Sequence, residues 1–424
     1  MGWRDTTLGE VCDQVGGVIQ TGPFGSQLHE SDYSPDGIPV VMPKDIVEGR
    51  IATASVARVS PDHVERLSRH KLEAGDIVYG RRGDIGRQAL IRQEQEGWLC
   101  GTGCLRLSFG DSVLDPSFLH YYLRQESVVG WISNQAVGAT LPNLNTGILR
   151  SVPLRFPPLP VQRRLAGILS AYDELIDNSQ RRIRILEAMA RALYREWFIQ
   201  FRFPGHEKLP RVASPLGDIP DGWQVRPLND VIDDIVDYRG KTPTKLSGEW
   251  SEEGILALSA LNVKSGRLVN LGKSRRVSED LYSRWMKNPL RRGDILMTSE
   301  APLGELFFLC KEERYCLSQR LFSIRANRRV IASVILYLCL ESEQTQHELR
   351  SRASGATVSG IRQSELRKIP ILVPPRPVQE RAEPVLLKLA ELSATLGESI
   401  ANLRRTRDLL LPRLLSGQVN LKTD

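Results

Sequence analysis

Between residues 160 and 201 the apolar positions fall three and four apart: Leu165, Ile168, Tyr172, Leu175, Leu186, Met189, Leu193 and Trp197. That spacing lays one stripe along a continuous helix, with arginines and acids on the opposite side. Pro160 suits the first helical turn, where a missing N–H costs nothing. At 1.5 Å per residue the segment makes a rod of roughly 60 Å, so it needs a partner helix or serves as a spacer. A second segment supplies the partner: Leu386, Leu389, Leu392, Leu396, Leu403, Leu410 and Leu414 repeat the spacing. Its interior prolines, Pro384 and Pro412, predict a helix that is bent or starts effectively near Val385 and breaks near Leu411. The chain between the two segments returns to the far end of the first, which predicts antiparallel packing.

The two helices share a lead-in. Pro157-Pro158-Leu159-Pro160-Val161-Gln162 reappears 217 positions later as Pro374-Pro375-Arg376-Pro377-Val378-Gln379. At the same offset Gly138-Ala139-Thr140 matches Gly355-Ala356-Thr357, and the run Phe118, Leu119, Leu123, Ile132 matches Ile335, Leu336, Leu340, Leu349. Gly75-Asp76-Ile77 matches Gly293-Asp294-Ile295 at 218, and Gly2-Trp3 matches Gly222-Trp223 at 220. A near-constant offset across half the chain means two copies of one module, each followed by one helix. The period is far beyond solenoid repeats, so this is domain duplication. The divisions are 1–159 for the first module, 160–201 for its helix, 202–220 for a linker, 221–375 for the second module and 376–418 for the C-terminal helix.

Each module reads as mixed α/β with short strands. In the first, Thr21-Gly22-Pro23-Phe24-Gly25-Ser26 is a glycine-rich turn before the strand-like 38–42. Gly75-Asp76-Ile77-Val78-Tyr79 is a turn feeding a buried strand, which delivers the loop Gly80-Arg81-Arg82-Gly83. Residues 89–92 and 104–109 predict further strands. Asp115-Pro116 starts a helix as cap and first-turn proline, expected to run to about Asn134. Residues 202–220 carry Pro204, Pro210, Pro215 and Pro220, which predicts an extended linker. At the second module's counterpart of the arginine loop, Arg81-Arg82 become Ser299-Glu300 while the scaffold Gly-Asp-Ile is kept. A kept frame with changed loop chemistry fits two copies that read different things; neutral drift in a surface loop is the other explanation.

Composition changes the picture in one respect. A net charge of +7, a pI of about 9.1 and 45 arginines against 12 lysines favour nucleic acid as partner, because neutralising phosphates releases counterions. A GC-rich genome explains the arginine preference equally well. No apolar run approaches 18 residues, and Asp5 and Glu10 stand where a charged-then-apolar leader would be, which predicts a cytoplasmic chain. The six cysteines form no C-x-x-C pair and read as buried free thiols rather than a metal site. No Asn/Asp-Pro-Pro-Tyr/Phe tetrapeptide, strand-borne G-x-G-x-x-G, H-E-x-x-H or Asp/Glu-x-Lys occurs, and Gly240-Lys241-Thr242 lacks the rest of a phosphate-binding loop. These absences predict no catalytic and no metal-binding residues.

Two variable modules with paired Pro-rich lead-ins to long helices resemble the specificity subunits of type I restriction–modification systems. Trp3 and Trp223, the Gly-Asp-Ile turns, the Gly-Ala-Thr pair and the terminal Leu411-Pro412-Arg413-Leu414-Leu415-Ser416-Gly417 carry the resemblance over essentially the whole chain. It implies an α+β fold: two target recognition domains separated by two long antiparallel helices as a coiled coil, with pseudo-two-fold symmetry. Each domain would read one half of a split double-stranded DNA site. The helices would fix the spacing and dock two adenine-methyltransferase subunits, with two motor/nuclease subunits completing the complex. The chain itself would bind no cofactor; its partners would use S-adenosylmethionine, ATP and magnesium. The expected helix interface is Leu165, Ile168, Tyr172, Leu175, Leu186, Met189, Leu193, Leu389, Leu392, Leu396, Leu403 and Leu410. For DNA contact, loop and strand-end positions put forward Ser26, Lys44, Arg81, Arg82, Lys241, Thr242, Ser299, Gln319 and Arg320, against a reading as solvated surface. A specificity subunit of a fused type II nuclease–methyltransferase and a non-DNA coiled-coil adaptor stay open at this point.

Overall fold

The computed structural model describes residues 2–81, 83, 85–135, 143–355 and 359–416. The chain forms two compact units, Met1–Asn178 with Ile400–Asp424, and Ser179–Ser399. Each unit contains one module and a length of both long helices.

In the first unit a four-stranded antiparallel sheet has the order Val18–Thr21, Cys104–Ser108, Ile77–Gly80, Gln88–Leu90. A second sheet orders Leu99–Cys100, Ile38–Val41, Ala57–Val59 and Tyr33–Ser34, with its first pair parallel. Arg4–Thr7 pairs antiparallel with Pro153–Phe156, the strand that leads straight into the long helix. The second unit repeats the plan. Ile232–Asp237, Leu321–Ala326, Ile295–Thr298 and Leu306–Phe308 form the four-stranded sheet in the same order. Ile255–Leu258 lies between Arg276–Val277 and a parallel Cys316–Leu317, and Gln224–Pro227 pairs with Pro370–Val373. The repeated offset in the sequence is therefore a repeated topology.

The Gly-Asp-Ile turns show why. Asp76 and Asp294 are buried at the head of a central strand. Each accepts from a backbone N–H three residues earlier, Glu73 and Arg291, at 2.9 Å. Each also pairs with an arginine of the adjacent strand, Arg106 at 2.6 Å and Arg325 at 2.8 Å. A carboxylate with that many donors tolerates burial, and the turn geometry follows from it.

The first long helix is α-helical over Leu159–Tyr194 and ends in a π turn, Arg195–Ile199, short of residue 201. The second is continuous over Arg376–Leu415, so it neither starts near Val385 nor breaks near Leu411, which corrects that part of the expectation. Pro384 is exposed, and on either side of it Ala382 and Leu386 are fully buried in the second unit's core. Their burial holds the helix through a residue that would cost an isolated one about 3 kcal/mol. Pro412 lies in the last turn, where little helix remains to be broken. Within the first unit the two helical lengths run antiparallel: Leu414 and Leu415 enter the core that holds Leu165, Ala166 and Leu169, while Arg407 pairs with Asp173 one to two turns further on.

Two other expectations differ. The helix after Asp115 is two, Pro116–Tyr122 and Glu126–Gln135. Leu123 and Val128 are both buried but five residues apart, a spacing no straight helix puts on one face, so the chain breaks between them. Residues 202–220 are not a free extended linker. Phe203 and Ile219 are buried with Phe201 and Trp223, and Arg211–Val212 pairs with Ile219–Pro220. Aromatic burial outweighs the prolines' tendency to extend the chain. Among the described residues no helix is long and apolar enough to cross a membrane.

Candidate nucleic-acid interface

Strand ends of both sheets in the first module converge on one rim. Gly22 N–H donates to Cys104 O and Gly101 N–H to Val41 O, both at 2.9 Å, and Arg81 N–H donates to Gly103 O at 2.8 Å. The loops touch closely enough to need glycine. A Cβ on Gly22 would lie 2.2 Å from Gly101 O, and one on Gly101 would lie 2.5 Å from Met42 Sδ. The second module repeats two of these bonds, with Ser299 N–H donating to Arg320 O at 2.9 Å and Ser318 N–H to Leu258 O at 2.8 Å, and adds Ala260 N–H to Gln319 O at 3.2 Å where the first module has Pro43.

Most of the candidate DNA contacts sit on these rims, though not alike. Ser26 is exposed on the glycine-rich turn. Lys44 is exposed on the short 3-10 turn Pro43–Asp45, which buried Asp45 fixes by accepting from Met42 N–H at 2.9 Å. Asn262 does the same for Ser259 N–H in the second module, again at 2.9 Å. Arg81 is half-buried and its Nε donates to Asn143 Oδ1 at 3.0 Å and Leu144 O at 3.1 Å, so part of its fork holds the chain before the last short helix. Arg82 lies outside the described residues, as do Gly138-Ala139-Thr140, Ala356-Thr357 and Gly417.

In the second module Lys241 sits with Nζ 4.4 Å above the Tyr238 ring and donates to Trp285 O at 2.9 Å. Thr242 is half-buried and its hydroxyl accepts from Lys245 N–H at 3.4 Å. Gln319 and Arg320 are exposed, and Arg320 pairs with Glu300 at 3.0 Å. Ser299 is different: it is 1% exposed and its hydroxyl lies buried without a hydrogen-bond partner. Its backbone bridges Arg320 and Ile361, so this position serves the frame and reaches no surface.

Three rim residues escaped the sequence reading. Phe24 is 54% exposed, and Leu261, at the second module's equivalent of Lys44, is 75% exposed. Nothing in an apolar letter marks it as exposed; only the duplicated turn does. Arg239 is the third. Its significance rests on Phe322, which is distant in sequence.

The helices attach to the modules through a duplicated clamp. Gln162 and Gln379 are both 0% exposed. Gln162 Nε2 donates to Val113 O at 3.0 Å and Pro157 O at 2.8 Å, while its Oε1 accepts from Asp115 N–H at 2.8 Å. Gln379 makes the same three bonds, to Val330 O at 2.9 Å, Pro374 O at 2.8 Å and from Ala332 N–H at 2.8 Å. From there buried positions recur every seven residues on one helix, Gln162, Leu169, Ile176 and Ile183, and at seven or fourteen on the other, Gln379, Leu386, Ile400 and Leu414. That is the period of supercoiled helices.

Of the expected interface, Leu165 is buried and Ile168, Tyr172, Leu186, Leu193, Leu389, Leu396, Leu403 and Leu410 are half-buried. Leu175 and Met189 are each 53% exposed and Leu392 is also exposed. The fully buried row, Leu169, Ile176 and Ile183, was missed. In the first unit Asp173 joins the helices to the module: it accepts from Tyr121 Oη at 2.7 Å, pairs with Arg407 and lies 3.6 Å from Arg124. Burial alone would raise its pKa, yet the bonds from Tyr121 and Arg407 and the arginine charges bring it below the usual carboxylate value.

Comparison with known proteins agrees with this architecture. The family described as type I restriction modification DNA specificity domain matches residues 1–188 and again 220–400. The chain is 22% identical over 403 residues to the type I restriction enzyme MjaIX specificity subunit of Methanocaldococcus jannaschii, covering 92% of this chain and 89% of that one. It is 20% identical to the HindI specificity subunit of Haemophilus influenzae, covering 98% and 99%. The crystal structure of a type I restriction-modification S subunit from M. genitalium superposes with a TM-score of 0.61 at 15% identity, covering 100% of this chain and 97% of that one, which is a likeness of fold. With two copies of the family's domain on one duplicated frame, the chain belongs to the type I restriction–modification DNA specificity family and is a specificity subunit.

Proposed function

We propose that each module reads one half of a bipartite double-stranded DNA site through its strand-end rim, and that the two long helices hold the modules at a set spacing. The observation that carries this is the rim itself: two of its backbone bonds, Arg81 N–H to Gly103 O with Gly101 N–H to Val41 O, recur as Ser299 N–H to Arg320 O with Ser318 N–H to Leu258 O, while the exposed side chains differ, Ser26 and Lys44 against Lys241, Leu261 and Arg320. A shared frame with different polar and apolar groups is what reading two different base sequences requires.

The outward apolar residues Leu175, Met189 and Leu392 exceed what the helices need from one another, and they suit the docking of two adenine-methyltransferase subunits. Two motor/nuclease subunits would complete the assembly. Methyl donor, ATP and magnesium would be bound by those partners, and this chain would perform no catalysis. The complex would work in the cytoplasm.

Co-expressing the chain with its methyltransferase and mapping methylated adenines genome-wide tests the proposal. Two short half-sites around a fixed gap are expected. Methylation at a continuous site, or none from a soluble complex, would overturn it.

A further inference from the structure

The loop after Ile232–Asp237 carries an arginine held in one pose by a carboxylate on its edge and a ring on its face. Arg239 donates to Asp237 Oδ1 through its backbone N–H at 3.0 Å and through Nε at 2.9 Å, and its Nη2 donates to Oδ2 at 2.8 Å. The guanidinium carbon lies 4.1 Å from the centroid of the Phe322 ring, a side chain with no solvent exposure of its own. Stacking fixes the plane of the fork and the bidentate bond fixes its rotation within that plane. Even so, the side chain keeps 33% of its surface open.

The carboxylate takes the Nε–Nη2 edge, which leaves the Nη1–Nη2 end. Among the described residues Nη1 has no partner. That end presents two parallel N–H groups, the arrangement that matches O6 and N7 of guanine in the major groove. Because the pose is already set, binding loses little rotamer freedom there. The Asp237 charge also cancels the arginine's pull on a phosphate, so a base edge suits this group better than the backbone. Lys241, two residues on and lacking a carboxylate partner among the described residues, is better placed for phosphate.

The first module has no equivalent. Asp237 pairs with Phe322 where Thr21 pairs with Leu105, so Arg239 corresponds to Pro23. We propose that Arg239 reads a guanine in the half-site recognised by the second module. The assignment rests on the reading of that module as a DNA-recognition domain.

Methylation maps of the assembled methyltransferase carrying wild-type chain, Arg239→Ala or Arg239→Lys test it. One G·C position in one half-site should become degenerate in both variants, with discrimination falling roughly 5- to 150-fold. The other half-site and the gap should not change. Lysine keeps the aliphatic cover over Phe322 and the charge but not the fork, so it carries the test if the alanine variant does not fold. An unchanged motif with methylation weakened equally at all sites would overturn the proposal, making Arg239 a phosphate contact or a lid on Phe322. A wild-type map without a split motif is a distinct result, which would overturn the DNA-recognition reading instead.

Discussion

Gln162 and Gln379 show how much a single side chain can hold. Each satisfies two carbonyls and one N–H that would otherwise be buried without partners, at the point where a module hands over to its helix. Gln379→Ala should therefore cost about 3 kcal/mol, the penalty of stranding such groups rather than of losing contact area. Chemical denaturation of the purified chain reads the loss, and Gln162→Ala should behave alike; a change under about 0.5 kcal/mol, the level of an ordinary surface site, would count against the clamp. The repeat of this residue is plain in the sequence because its neighbours repeat with it. Its burial is not: glutamine is mostly a surface residue, and only the proline-fixed turn before it closes the space around the amide. Arg239 was illegible for a different reason. Its meaning depends on a phenylalanine on another strand, and pairing between strands is not written in local spacing.

At the level of elements, the two long helices are legible in the sequence, but three of the twelve expected interface positions are exposed and the buried Leu169, Ile176 and Ile183 are not among them. Leu175, Met189 and Leu392 are exposed, whereas Leu169, Ile176 and Ile183 recur at seven and are buried. Hydrophobicity alone does not separate them, and neither does the period, since Leu175 and Met189 are fourteen apart; the heptad phase set by buried Gln162 does. Pro384 misled in the opposite way, since a local rule allowed a helix starting only near Val385, whereas the burial of Ala382 and Leu386 carries the helix through from Arg376. The heptad frame sharpens the spacing proposal. Adding seven residues to each helix, between Ile176 and Ile183 and between Leu386 and Ile400, keeps the phase and lengthens the rod by roughly 10 Å. The methylated motif should keep both half-sites and gain about three base pairs of gap, at 3.4 Å per step along DNA. An unaltered gap in a stable variant would end the idea of a ruler.

On the scale of the whole molecule, the first unit carries a source of acid sensitivity in its core. The first holds two buried histidines. Burial, with Arg124 close by, pushes His120 down to about 3; burial, with Arg69 and Arg106, pushes His70 down to about 4. A histidine whose pKa falls on folding favours the neutral form, so its contribution is complete above the unfolded value of about 6.5 and declines as pH drops towards the folded value. The first unit should therefore lose stability between pH 7 and 5. Thermal unfolding followed at both values should show its transition moving down, by less in His120→Gln. Equal movement in both proteins would assign the sensitivity elsewhere. The duplicated architecture was readable at this scale from the offset of 217, whereas the partition of each helix between two units was not.

That partition has a consequence for how the protein is made. The first unit includes residues 400–424, so the core around Leu165 and Leu169 lacks Leu414 and Leu415 until those residues have been synthesised. About 220 residues separate the two parts, which at bacterial elongation rates of roughly 5–20 residues per second is a wait of roughly 10 to 45 s. During that time a nascent chain carries an incomplete N-terminal core while the second module, contiguous in the chain, emerges and folds whole. Folding of the unit whose module is synthesised first is thus completed after the second module's, and a chain cut short before Leu414 damages the unit that holds residues 1–178.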